Sequence, residues 1–354
     1  MSAGIGSLLK SQLDIFVNPA TGAALRLDGE ELVDVDGGLR FPAPDGIPNL
    51  YVETDAPTAT GFSVNQVSDT VKSFYEETPF PNYDDVDSRQ SLTEKAGRGH
   101  YARALDEQLP PGSLIWEAGC GTGQLSNFLG MSWRRSVIGG DLCRNSLRLA
   151  KDFAERNVIR NVGFVQLNLF NPPFRNEVFD VVISNGVLHH TADCELAFRS
   201  ILAKLKPGGH ILIGLYNRYG RLPTLWKRRL FDLIGRPHHL LDRRLRNPDM
   251  NAARVRAWYM DQYRHPHETR HSMDEVLQWF DRHGVEFVNG IPRLDGRPFA
   301  PKAPLFEPQS PGSTIDRVAT QLEMLLAGGQ DGGLFIMIGR KKAATTRPPT
   351  VQDK

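Results

Sequence analysis

The segment WEAGCGTGQ (residues 116–124) places Gly119, Gly121 and Gly123 at alternate positions behind an apolar run and ahead of a helix-forming stretch. Glycines in that context let a ligand approach the backbone closely. A dinucleotide fingerprint needs its third glycine five positions after the first, where Gln124 stands, so the spacing argues against a nicotinamide dinucleotide. The next apolar run, VIGGDL (residues 137–142), ends in Asp141, the position from which a carboxylate accepts both hydroxyls of a ribose. Further on, FDVVISNGVLHHTAD (residues 179–193) carries His189 and His190. Either could serve as a general base, since histidine titrates near working pH. The alternative is that one orders the loop while the other is solvated.

Two other patterns are set aside. HETRH (residues 267–271) has the H-E-x-x-H spacing of a zinc site, but that chemistry needs both histidines on one helical face. Here Pro266 breaks regularity before the motif, and Ser272 to Glu275 forms a capping box that starts a helix after it. NPPF (residues 171–174) reads as a turn.

The elements that must position these residues alternate strand and helix signals, which implies βαβ units and a parallel sheet. Strands are expected over 113–118, 136–141, 163–167, 179–184, 210–215, 286–291 and 334–338. Helices are expected over 124–128, 146–156, 192–205 and 274–283, with Lys206-Pro207-Gly208-Gly209 ending the third. The fold class is therefore α/β: a doubly wound, Rossmann-like, seven-stranded and mostly parallel sheet, with a small β-rich N-terminal module and a helical insertion. Residues 1–62 form the module and a Thr/Ala/Pro/Gly-rich linker, 63–342 the main domain with the insertion at 217–271, and 343–354 a disordered tail.

Glu117 followed by Gly119, Gly121 and Gly123 resembles motif I of class I S-adenosylmethionine-dependent methyltransferases. FDVVISNGVLHHTAD and LKPGGHILIGLYN (residues 205–217) closely resemble motif IV and the following strand of the ubiquinone and menaquinone-biosynthesis type. The resemblance covers residues 113–217 and implies S-adenosylmethionine as cofactor. It places Gly119, Cys120, Gly121 and Gly123 beneath the methionine part, with Glu117 holding its amino group directly or through water. It places Asp141 and Leu142 at the ribose, and Asn185, Gly186 and Val187 facing the methyl donor. Asn168 stands where the family usually has an Asp that reads the adenine amino group, with Leu169 flanking the ring. Tyr75, in the aromatic and proline-rich segment 74–83, is expected to close over the cofactor, the alternative being an anchor for the N-terminal module. Methyl transfer from a sulfonium is an in-line displacement, so positioning supplies much of the acceleration and a base is optional.

The N-terminal segments VNPATGAAL (residues 17–25) and LRFPAPDGIPNLYV (residues 39–52) resemble the zinc-ribbon-like domain of the tRNA-methyltransferase activator family. Asn18 replaces a metal-binding cysteine of that family, so the resemblance carries shape and no zinc. No metal is expected elsewhere, because Cys120, Cys143 and Cys194 offer no paired ligand spacing. So few cysteines also fit a reducing, cytoplasmic setting. No run approaches the roughly 18–20 apolar residues of a spanning helix, and no basic segment leads into an apolar run at the N-terminus.

A net charge of +1 leaves no whole-chain argument for a polyanionic partner, and no DNA is expected. The insertion is locally basic, which an acidic acceptor or solvated helix faces would explain equally well. Three functions follow: a methyltransferase acting on an O, N or C atom of a small-molecule or lipid-linked acceptor, an RNA or protein methyltransferase, or a noncatalytic cofactor-binding scaffold.

Overall fold

The computed structural model describes residues 5–81, 83, 87–98, 100–234, 242, 245, 251–300, 303–327 and 330–343. The N-terminal part holds α1 (Ser7–Ser11), β1 (Leu25–Asp28), β2 (Glu31–Asp34), β3 (Arg40–Phe41) and α2 (Val64–Glu77), followed by α3 (Arg89–Arg98) and α4 (His100–Gln108). Then come β4 (Leu114–Ala118), α5 (Gln124–Gly130), β5 (Ser136–Asp141), α6 (Arg144–Arg156), β6 (Val162–Gln166), β7 (Phe179–Asn185), α7 (Cys194–Leu202) and β8 (Leu205–Tyr216). The chain closes with α8 (Leu222–Ile234), α9 (Ala252–Tyr263), α10 (Met273–Arg282), β9 (Val285–Ile291), α11 (Thr314–Leu326) and β10 (Leu334–Lys341).

Seven strands form one sheet in the order β6-β5-β4-β7-β8-β10-β9. The pairs from β6 to β8 are parallel, whereas β10 runs antiparallel between β8 and β9. The central strands are almost continuously apolar because helices cover both faces, so side chains on both faces need burial. Helix α6 shows the matching pattern, burying Leu147, Ala150, Phe153 and Ala154 on one stripe. The strand order reverses at β4, and in such sheets the crevice at the carboxyl ends of the strands there receives ligands.

The KPGG segment does not cap a helix. Helix α7 already ends at Leu202, and Lys206 to Gly209 lie inside β8, where the pairing jumps from Phe179↔Leu205 to Val181↔His210. The extra residues bulge out of the ladder, where Pro207 needs no donor and Gly208 takes φ 79°.

The three-stranded sheet β1-β2-β3 packs onto the main core. Phe16 meets Phe174 at 5.2 Å, and Phe174 meets Trp116 and Phe179 at 5.0 Å each. Backbone bonds from Leu50 N to Gln166 O and from Gln166 N to Pro48 O, 2.9 and 3.0 Å, pair the module with the edge of β6. Covering that edge removes a row of exposed donors and acceptors. Asn18 donates to the Asp34 carboxylate, which also accepts from the Asp36 and Gly37 amides. Despite its linker-like composition, the following segment is tied down by Ala59 N to Asp193 Oδ2 and Thr60 Oγ1 to Ala192 O, both 2.8 Å.

The insertion is helical where it is described, as α8 and α9. Its two ends meet in a bridge between Asn217 and His271, with Arg218 N donating to His271 O and His271 N to Tyr216 O, 2.9 Å each. Helix α10 starts after HETRH with the Ser272/Glu275 capping box. No described helix is long and apolar enough to cross a membrane. The tail from 344 to 354 lies outside the described residues.

Candidate active site

The loop after β4 is shaped by what approaches it. The Gly119 and Cys120 amides donate to Gly140 O, and the Gly121 amide donates to Asp141 Oδ2 at 2.7 Å. Gly119 adopts φ 81°, and a Cβ there would collide with Val187 of the loop after β7. Gly121 adopts φ 52°, and a Cβ would lie 2.6 Å from the carbonyl oxygen of Phe80. Gly123 serves packing: a Cβ would lie 2.7 Å from Ala150 of α6, and the residue does not line the cavity. Gly121→Ala is therefore expected to cost about 1–3 kcal/mol of stability through the strained backbone alone. A denaturant midpoint equal to that of the parent would refute the close approach.

Loop, strand ends and insertion line a partly open cavity of about 390 Å³. Tyr75, Glu117, Gly119, Cys120, Gly121, Asp141, Leu142, Asn168, Leu169, Asn185, Gly186, Val187 and His190 line it, whereas Gly123 and His189 do not. Glu117 is buried, accepts from Ser126 Oγ and, among the described residues, has no cationic side chain paired with it. Burial pushes its carboxyl up to about 8, partly offset by Ser126, with the charge of Asp141 adding to the rise. Asp141 accepts from the Cys143 amide through Oδ1, 2.8 Å, and from Gly121 through Oδ2. Each oxygen keeps a lone pair for a ligand. Burial raises its pKa as well. A carboxyl without a cation beside a glycine loop, with a second carboxylate fixed by backbone amides, suits a ligand carrying an ammonium and a diol. Asn168 is more committed than its position suggests: Nδ2 donates to Val52 O and Oδ1 accepts from the Phe170 amide.

The two histidines differ. His189 is fully buried against Tyr216, with ring centroids 4.0 Å apart, and neither ring nitrogen has a partner among the described residues. It stands behind the wall and cannot reach a ligand in the cavity. His190 reaches it, but its Nδ1 is held 2.9 Å from His267 O and its ring stacks on His265 at 3.6 Å. Burial pushes His190 down to about 3, so near neutral pH it is an uncharged and weak base.

The aromatic segment lies over the glycine loop. Thr122 Oγ1 donates to Pro81 O, and Tyr83 stacks on Phe153 at 4.3 Å. Tyr75 donates its hydroxyl to Asp261 Oδ1 of α9 at 2.8 Å.

The family model described as "Methyltransferase domain" matches residues 116–213, which run from β4 into β8 and contain the glycine loop, Asp141 and the loop after β7. The chain carries a class I, S-adenosylmethionine-dependent methyltransferase domain. Among relatives of this methyltransferase domain, the ubiquinone/menaquinone biosynthesis C-methyltransferase of Vibrio campbellii is 32% identical over 108 residues, 29% of this chain and 41% of that protein. The probable tRNA methyltransferase 9B of Homo sapiens is 36% identical over 112 residues, 31% of this chain and 22% of that protein. A TehB-like SAM-dependent methyltransferase from Corynebacterium glutamicum superposes with a TM-score of 0.39 at 18% identity, over 72% of this chain and 95% of that one. The chain spans less than half the length of the curated relatives it matches.

The cavity is also lined by residues that no motif singles out: Thr191, Tyr216, Trp258, Asp261 and Gln262. Gln262 Nε2 donates to Asp261 Oδ2 at 2.8 Å and to the Tyr216 hydroxyl oxygen at 3.0 Å, while its Oε1 accepts from Arg221 Nη1 at 2.6 Å. Arg221 is fully buried, pairs with Glu268 at 2.7 Å and stands 3.7 Å from the Tyr216 ring centroid. The stretch WYMDQY (residues 258–263) carries no recognisable motif, so nothing local marks it.

Proposed function

We propose that the chain transfers the methyl group of S-adenosylmethionine to a small-molecule or lipid-linked acceptor enclosed between the sheet and the insertion. The observation that carries this reading is one partly open cavity that two sets of polar residues share. Glu117, the glycine loop and Asp141 line it together with the polar cluster of α9. In this reading Asp141 accepts the ribose hydroxyls, Glu117 faces the amino group, and Asn185, Gly186 and Val187 face the transferred methyl. The cofactor supplies the electrophilic methyl group, while the protein aligns donor and acceptor and keeps water out.

The basic insertion supports an RNA acceptor less than its composition suggests. Arg218, Arg221, Arg254 and Arg264 pair with Glu275, Glu268, Asp87 and Asp232. Incubation with labelled S-adenosylmethionine and fractionated metabolites, lipids and RNA tests the proposal. Label is expected in the metabolite or lipid fraction. Label confined to RNA, with binding that weakens steeply as salt rises, would replace the proposal with an RNA methyltransferase. Cofactor binding without transfer to any fraction would leave a scaffold.

A further inference from the structure

We infer that Asp261, Tyr216 and Gln262 form the acceptor-binding face of the cavity, and that the acceptor is an alcohol or phenol whose proton passes to Asp261 as its oxygen takes the methyl group. This rests on the methyltransferase reading above and adds to it the class of acceptor.

The Asp261 carboxylate is buried and lines the cavity, yet its bonded partners are two neutral donors, the Tyr75 hydroxyl and Gln262 Nε2. Arg221 lowers the cost of this buried carboxylate electrostatically but does not bond to it, so a ligand donor would complete its shell. Each of its oxygens retains a lone pair. Gln262 cannot turn to compete, because Arg221 holds its carbonyl oxygen. Since Gln262 donates to the Tyr216 oxygen, the phenolic proton points elsewhere, and among the described residues no group accepts it. A donor and an acceptor thus stand side by side across Gln262. A hydroxyl satisfies both at once, its oxygen accepting from Tyr216 and its proton going to Asp261.

Other acceptor chemistries fit less well. An ammonium could donate to Asp261 but has no lone pair with which to accept from the Tyr216 hydroxyl. A carbon nucleophile without a neighbouring hydroxyl would leave the donor and the acceptor both unpaired. His190 and His265, pushed down to about 3 and about 2 by burial, are poor proton acceptors, whereas burial raises the Asp261 carboxyl. The step balances. The O–CH3 bond forms as the S–CH3 bond breaks, the electron pair stays on sulfur to give a neutral thioether, and the hydroxyl proton neutralises Asp261.

The test uses the full chain with S-adenosylmethionine carrying a trideuterated methyl group and a metabolite and lipid extract. After alkaline hydrolysis removes esters, hydroiodic acid releases deuterated methyl iodide from ethers. Its release is expected, and recovery of the label as an N-methyl or C-methyl group would overturn the inference while leaving a methyltransferase in place. No transfer to any fraction would instead sink the methyltransferase reading itself. With the product in hand, Asp261→Asn is expected to lower kcat at least about a hundredfold, as loss of a general base does, with KM for the cofactor within about threefold. Tyr216→Phe, which keeps the packing and removes only the donor, is expected to lower kcat/KM for the acceptor about tenfold. Parent-like turnover in Asp261→Asn, or a parent-like kcat/KM in Tyr216→Phe should the first variant fold poorly, would overturn the assignment.

Discussion

Asp141→Ala will weaken S-adenosylhomocysteine binding at least about a hundredfold, because two charge-assisted hydrogen bonds to the ribose are worth roughly 1.5–3 kcal/mol each. The structure adds a second consequence. The same carboxylate holds the Gly121 and Cys143 amides, so the variant also releases the glycine loop and the start of α6. Asp141→Asn preserves shape but turns an amide NH2 against one of those backbone donors and leaves a single acceptor oxygen, so it too perturbs both. Isothermal titration calorimetry of parent and variants measures the affinity, and thermal melting without ligand measures the loop. Parent-like affinity in Asp141→Ala would remove this residue from the ribose site, however much the melting temperature fell.

The pH dependence of cofactor binding is the second large effect. Burial pushes the Glu117 carboxyl from 4.5 to about 8, with Ser126 opposing the rise and Asp141 adding to it. Near neutral pH the ligand-free protein therefore keeps Glu117 protonated. The folded state then holds a proton that the unfolded chain releases. The associated stability is fully present below the unfolded value and is lost as pH rises through about 8. Ligand binding has the opposite sense. The cofactor's ammonium needs the carboxylate, so binding expels the proton and affinity rises about tenfold per pH unit until it levels near the folded value. Calorimetry in buffers of different ionisation enthalpy should detect close to one proton released per ligand at neutral pH. Glu117→Gln should bind weakly with no such slope. A flat profile in the parent would show that Glu117 does not meet a cation.

The sheet was legible in the sequence because its signal is local. A buried parallel strand must be apolar on both faces, and each of the seven expected strands overlaps an observed one. Gly119, Gly121 and Asp141 line the cavity at positions the local pattern marks: the tight strand-to-helix turn demands glycine where Val187 and Phe80 approach, and the acid ends the next strand.

What the sequence could not determine are relations between distant residues. KPGG has the composition of a helix stop, yet β8 begins before it because pairing with β7 outweighs the local preference. His189 and His190 are adjacent and chemically identical, and only packing against Tyr216 sends one behind the wall while the other reaches the cavity. The Asn217 to His271 bridge closes the insertion so that Asp261 and Gln262, some 140 residues beyond Gly121, face the same space. Arg221 reads as one of many surface cations until Glu268 and Gln262 surround it. Burial, partner and pKa are properties of a side chain's neighbours, and here those neighbours are supplied by tertiary contact between segments far apart in the chain.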